Sequence, residues 1–198
     1  PLSAIHVFEC FHEAELPKGV INLVMGPAEE IGRELTSSPD VRKISFTGST
    51  AVGKKLLRDS ADTVKKVSLE LGGHAPFIIF DDADINEAVN GILGSKFRNA
   101  GQTCISTNRI YVHEAIADEF SQKLAEKVSE LRVGNGLEDD VDVGPVINEA
   151  AIEKITSHVE DAVKNDGKVL VGGKPHELSA KGGTFFEPTV IQNANENM

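Results

Sequence analysis

Lys43-Ile44-Ser45-Phe46-Thr47-Gly48-Ser49-Thr50-Ala51-Val52-Gly53 decides the fold. Residues 43–46 read as a strand. A helix follows from Ser49 to Asp59, with Ser49 or Thr50 as its N-cap, because a Ser or Thr hydroxyl can accept from a first-turn N–H. Residues 64–71 read as the next strand, which makes a βαβ unit and points to a parallel sheet. The turn between strand and helix gathers free N–H groups and the positive end of the helix dipole. Such a turn suits an anion of the pyrophosphate kind: Gly48 lets it approach the backbone, and Ser49 can donate a hydroxyl. An ordinary capped strand–helix turn reads the same way. The common G-x-G-x-x-G fingerprint is absent.

The same alternation extends on both sides. Residues 1–15 read as a helix with Leu2, Ile5 and Phe8 near one face, broken by Pro17-Lys18-Gly19. Residues 20–24 read as a strand and 28–37 as a helix. Gly72-Gly73 is the best internal boundary. Beyond it come a strand at 76–80, a helix at 84–99, a strand at 109–112 and a long helix at 115–131. A polar loop at 133–143 leads to a helix at 149–164 and strands at 169–171 and 185–191. The fold class is α/β.

The 198 residues suit one or two domains, and 40% hydrophobic content supports a core. A net charge of −11 argues against nucleic acid or an anionic membrane surface as partner. No apolar run approaches the roughly 20 residues that span a bilayer, and the N-terminus has no signal-peptide pattern. With only Cys10 and Cys104, a disulfide framework is not expected and a reducing, cytoplasmic setting is favoured. The six histidines show no metal-ligand spacing, so no metal site is expected.

Two residues carry candidate chemistry, and they stand 34 positions apart. Glu70, in Leu69-Glu70-Leu71-Gly72-Gly73, has apolar strand neighbours. Burial there would raise its pKa toward a value useful to a general base, whereas a solvated strand-end glutamate would do nothing of the kind. Cys104, in Gly101-Gln102-Thr103-Cys104, lies at a loop-to-strand turn. Its thiolate can attack a carbonyl carbon, with backbone N–H groups holding the oxyanion. A buried structural cysteine is the alternative. Cys10, in a helix beside Phe11, reads as core. Arg98, six residues before Cys104, can bind a carboxylate bidentately, or can simply complement a helix C-terminus.

Taken in order, Phe46-Thr47-Gly48-Ser49, Leu69-Glu70-Leu71-Gly72-Gly73 and Gly101-Gln102-Thr103-Cys104 resemble the signature segments of the aldehyde dehydrogenase superfamily. Lys96-Phe97-Arg98-Asn99-Ala100-Gly101-Gln102-Thr103-Cys104 is similar to its succinate-semialdehyde subgroup, and Glu187-Pro188-Thr189-Val190 also resembles the family. The likeness runs through the whole chain.

The resemblance implies an NAD- or NADP-dependent oxidation of a small aldehyde, with succinic semialdehyde to succinate as the leading reaction. Cys104 would form the thiohemiacetal and then the thioester. Glu70 would activate water to hydrolyse it. Gly48, Ser49, Val52, Gly53, Leu71 and Gly72 would hold the cofactor, and Arg98 the substrate carboxylate. Residues 1–72 would be the C-terminal half of a Rossmann-like cofactor domain, and residues 73–198 the N-terminal part of the catalytic domain. The chain would be a central piece of a homo-oligomeric enzyme, dimer or tetramer, and inactive when isolated. The family segments that choose NAD or NADP, complete the oxyanion hole and hold the nicotinamide ribose are not in it. Some semialdehyde dehydrogenases carry a second cysteine where this chain has Ser106. The alternatives are an enzyme for glutarate semialdehyde or another small aldehyde, an acylating variant that passes the thioester to coenzyme A, and a non-catalytic protein of the same fold. Glu70 speaks against the acylating variant.

Overall fold

The computed structural model of the chain describes residues 2–198. The chain forms two compact units, Pro1–Leu71 and Gly72–Met198.

The first unit runs α1 (Leu2–Glu13), α2 (Ala28–Ser37), β1 (Lys43–Gly48), α3 (Thr50–Asp59), a 3-10 turn at Ala61–Thr63 and β2 (Lys66–Leu71). β1 and β2 are parallel, so α3 is the crossover of a βαβ unit. Their register sets Thr47 opposite Glu70 and Gly48 opposite Leu71. The strand expected from residue 64 begins at Lys66, because Val64 adopts a left-handed turn (φ 51°) that an extended strand cannot include. Lys65 then anchors the strand start by donating to the carbonyls of Ser38 and Val41, the latter at 2.8 Å.

Two expectations fail in this unit. Residues 20–24 are irregular. Their β-branched composition favours a strand, but a strand exists only against a neighbour, and no described residue forms a ladder with them. Cys10 is exposed rather than core, because α1 has no buried residue on any face. Pro1, the first residue of the expected helix, lies outside the described residues.

The second unit runs β3 (Ala75–Ile79), α4 (Ile85–Lys96), β4 (Thr107–Val112), α5 (Ala117–Ser129), α6 (Glu149–Lys164), β5 (Lys168–Val171) and β6 (Val190–Gln192). β3 and β4 pair in parallel across α4, while β5 and β6 pair antiparallel. α4 starts where the Asp84 carboxylate accepts from the N–H groups of Asn86 (2.8 Å) and Glu87 (3.1 Å). It stops at Lys96 rather than at residue 99, because Asn99 and Ala100 turn left-handed at φ 53°.

Ile79, Val89, Ile92, Phe120, Leu124 and Val128 form the main core, which joins β3, α4 and α5. Val146, Ile152, Val159 and Phe186 form a second core under α6. The strand expected at 185–191 is reduced to 190–192. Pro188 has no N–H to give a ladder, and Phe186 makes only an isolated bridge to Pro175. Among the described residues, no helix is long and apolar enough to cross a membrane.

Candidate active site

The first unit presents the strand–turn–helix at β1 and α3. Ser49 leaves the strand in an extended conformation, and its hydroxyl accepts from the Val52 N–H at 3.3 Å. This caps one first-turn donor, and the others have no partner inside the helix. At position 48 a Cβ would lie 2.4 Å from the Phe46 ring, so a larger residue there requires that ring to move. At position 53 a Cβ would lie 2.6 Å from a Leu71 methyl, so α3 sits close against the end of β2 and a larger residue would displace that side chain. Val52 is exposed on the first turn. A pyrophosphate group fits the unpaired first-turn N–H groups and the sign of the helix dipole, while the Phe46 ring lies against one side of Gly48.

Glu70 stands one strand over from that turn, opposite Thr47 in the ladder. Its side chain is exposed, against the expectation of burial. Among the described residues β2 pairs only with β1, so its other edge has no neighbouring strand beside Glu70.

The second unit carries Cys104. Its thiol is exposed and free. The loop before it contains three successive left-handed residues, Asn99 and Ala100 at φ 53° and Gly101 at φ 74°. For the two non-glycine residues this conformation costs about 1–3 kcal/mol each. The surroundings hold the loop in place. Ala100 packs against the second core. At Gly101 a Cβ would meet the Lys96 carbonyl oxygen at 3.2 Å.

The Gln102 amide uses both ends. Its Oε1 accepts from the Ile147 N–H at 2.8 Å, and its Nε2 donates to the Asn99 carbonyl at 3.0 Å and the Pro145 carbonyl at 3.4 Å. After the cysteine, a turn closes with the Ser106 N–H donating to the Thr103 carbonyl at 3.1 Å. The buried Ser106 hydroxyl donates to the Lys96 carbonyl at 3.0 Å, and the Thr107 and Ser95 hydroxyls bond at 2.9 Å. The loop that carries Cys104 is therefore tied to the end of α4 on one side and to residues 145–147 on the other.

Arg98 opens the 3-10 turn that follows α4. It is exposed, and among the described residues no carboxylate pairs with it. Lys96 lies nearer the loop, and burial pushes its ammonium below the ordinary lysine value. Gly72 joins the end of β2 to the lead-in of β3, where His74 bonds Asn108 at 2.7 Å. The bracing roles of Gln102, Ser95, Ser106 and Thr107 have no sequence signal of their own, because amides and hydroxyls are common in loops. Gln102 and Ser106 are marked in the sequence only by standing two residues either side of Cys104.

A sequence profile described as the aldehyde dehydrogenase family matches residues 1–198. The chain belongs to the aldehyde dehydrogenase family. It is 53% identical over 198 residues to a mitochondrial succinate-semialdehyde dehydrogenase of Arabidopsis thaliana, covering 100% of this chain and 37% of that protein. It is 52% identical over 197 residues to a glutarate-semialdehyde dehydrogenase of Pseudomonas aeruginosa, with 100% and 40% covered. The crystal structure of an NADP-dependent enzyme of E. coli superposes with a TM-score of 0.95 at 50% identity, again covering 100% of this chain and 40% of that one. The chain thus spans about two fifths of the length of the relatives it matches. The α/β architecture is that of aldehyde dehydrogenases.

Proposed function

We propose that these residues belong to an NAD- or NADP-dependent dehydrogenase that oxidises a semialdehyde to a dicarboxylate, with succinic semialdehyde as the leading substrate. The observation that carries the reading is the exposed Cys104 thiol on a loop held from both sides, in a chain of this family. Residues 1–72 supply part of the cofactor domain and residues 73–198 part of the catalytic domain. Gly48, Ser49, Val52 and Gly53 hold the dinucleotide at the N-terminus of α3, and Leu71 and Gly72 border its nicotinamide. When bound, the cofactor supplies the hydride acceptor.

The chain's own groups do the rest. The Cys104 thiolate adds to the aldehyde carbon, and the Cys104 N–H donates to the resulting oxyanion. Loss of hydride from that carbon leaves a thioester on Cys104. Glu70 takes a proton from water, the hydroxide adds to the thioester carbon, and the C–S bond breaks. Carboxylate and thiolate are the products. Arg98 pairs with the distal carboxylate of the substrate. The assembled enzyme is a homo-oligomer.

Glutarate semialdehyde is the second reading, favoured by the 52% identity to the Pseudomonas aeruginosa enzyme. One more methylene alters binding by only about 1–3 kcal/mol.

The test uses the full-length polypeptide that carries these residues, with each semialdehyde and with NAD or NADP, followed by absorbance of the reduced nicotinamide. Turnover that disappears in Cys104→Ala supports the reading, and the ratio of kcat/KM for the two semialdehydes selects the substrate. Arg98→Ala is expected to cut kcat/KM for the charged semialdehyde and spare an uncharged aldehyde. Absence of turnover from a folded protein with every aldehyde and both cofactors refutes the reading, leaving the non-catalytic one.

A further inference from the structure

We infer that Gln102 is a positioning residue for the Cys104 nucleophile. The inference rests on Cys104 being the nucleophile of the proposed reaction. Gln102 stands two residues before Cys104, directly after the left-handed run Asn99-Ala100-Gly101. Asparagine tolerates this conformation but alanine does not favour it, so at Ala100 it persists only where the surroundings over-determine it. Upstream, Ala100 sits against the second core. Downstream, the constraint from across the fold is the Gln102 amide, which reaches the backbone of Pro145 and Ile147, more than forty positions away.

The amide's orientation is set by chemistry. The Ile147 N–H can only donate, so it faces Oε1, and the Asn99 and Pro145 carbonyls can only accept, so they face Nε2. A side chain with a donor on one end and an acceptor on the other is required. Glutamine presents both without titrating, whereas an ionised glutamate of the same length can only accept. The bonds to Asn99 and Ile147 fix the loop in two directions at once, so losing them frees the backbone that carries Cys104. Gln102 is itself exposed and contributes little to the core. Its effect therefore falls on the geometry of the loop more than on global stability.

The test replaces Gln102 in the full-length polypeptide. Gln102→Met keeps the shape and removes every hydrogen bond. Gln102→Glu keeps the acceptor for Ile147 but sets a carboxylate against two carbonyls, and it is the second variant should the first fold poorly. Two readouts are taken on folded protein: steady-state turnover, and the pH profile of iodoacetamide alkylation at Cys104 resolved by peptide mass spectrometry. Cys10, exposed in the other unit, serves as the internal reference for alkylation. The expected result is a kcat lower by about 10- to 100-fold with KM little changed, since misplacing a reacting group by about 1 Å can cost about a hundredfold. The Cys104 profile should shift while that of Cys10 does not. A kcat and a Cys104 profile both within about twofold of the unchanged protein, in either folded variant, overturn the inference. The alkylation arm needs no turnover, so a protein that oxidises no aldehyde would sink the dehydrogenase reading while this readout still decides the role of Gln102.

Discussion

Ser106→Ala isolates what the buried latch beside Cys104 contributes. The Ser106 side chain is 5% exposed, and its hydroxyl donates to the Lys96 carbonyl at 3.0 Å. That carbonyl is one of the last of α4, a group that needs a partner from outside the helix. Alanine removes the donor from this part-buried contact and from the longer one to the Ser95 carbonyl at 3.4 Å, which costs about 1–3 kcal/mol. Ser129→Ala is the matched control. Ser129 also donates to a nearby carbonyl, that of Glu126 at 2.6 Å, but it is exposed, so water replaces the lost bond. It should change stability by less than about 0.5 kcal/mol.

The chain has a natural probe, because Tyr111 is its only tyrosine and there is no tryptophan. Tyr111 lies in β4, the strand that begins at Thr107 in the latch. Urea unfolding followed by tyrosine fluorescence therefore reports the second unit. The expected result is a lower midpoint at unchanged slope for Ser106→Ala, with Ser129→Ala near the parent. Equal shifts for the two variants would refute the reasoning, since desolvation of the latch would then count for nothing.

Ile92→Ala empties the centre of the main core, where the side chain is 1% exposed, and should cost about 2–5 kcal/mol in the same fluorescence assay. Gly172→Ala places a Cβ 2.2 Å from the Pro188 carbonyl oxygen at φ 73°. It should destabilise the β5–β6 hairpin by more than the roughly 1 kcal/mol of the left-handed conformation alone, read as faster amide exchange at residues 168–171. Lys96 gives a pH test. Burial lowers its folded pKa below the ordinary 10.5, so the unfolded chain binds more protons between the two values. Stability relative to Lys96→Met should then rise with pH through that window and level off above 10.5. A difference that falls or stays flat between neutral pH and 10.5, in paired urea titrations, contradicts the assignment.

What was legible in the sequence is what local chemistry decides. α6 occupies the expected residues 149–164, because Asn148 caps it and Ile152 and Val159 repeat on one face. The β1–α3 turn was readable from Gly48 and Ser49 for the same reason. The early end of α4 was not, since Asn99 and Ala100 turn left-handed against ordinary preference under tertiary constraint. Val20 to Val24 misled because β-branched composition carries no information about whether a partner strand exists. At the candidate site, Glu70 and Cys104 stood out by their glycine-flanked surroundings. The exposure of Glu70 depends on what covers β2, which no neighbouring residue in sequence specifies. The Ser95–Thr107 and Ser106–Lys96 contacts join the end of a helix to the start of a strand, so they appear only once the loop is folded.

The pairing of β1 with β2 has a practical consequence for handling the chain. Among the described residues this sheet has two strands, so each strand keeps one side of its backbone without a ladder partner. A row of N–H and C=O groups along Lys43–Gly48 or Lys66–Leu71 can accept the same row from another copy. Made by itself at high concentration, the chain is therefore expected to self-associate edge to edge, with light scattering that grows with concentration. A lysine set on such an edge, or the rest of the relatives' length of polypeptide, would suppress it.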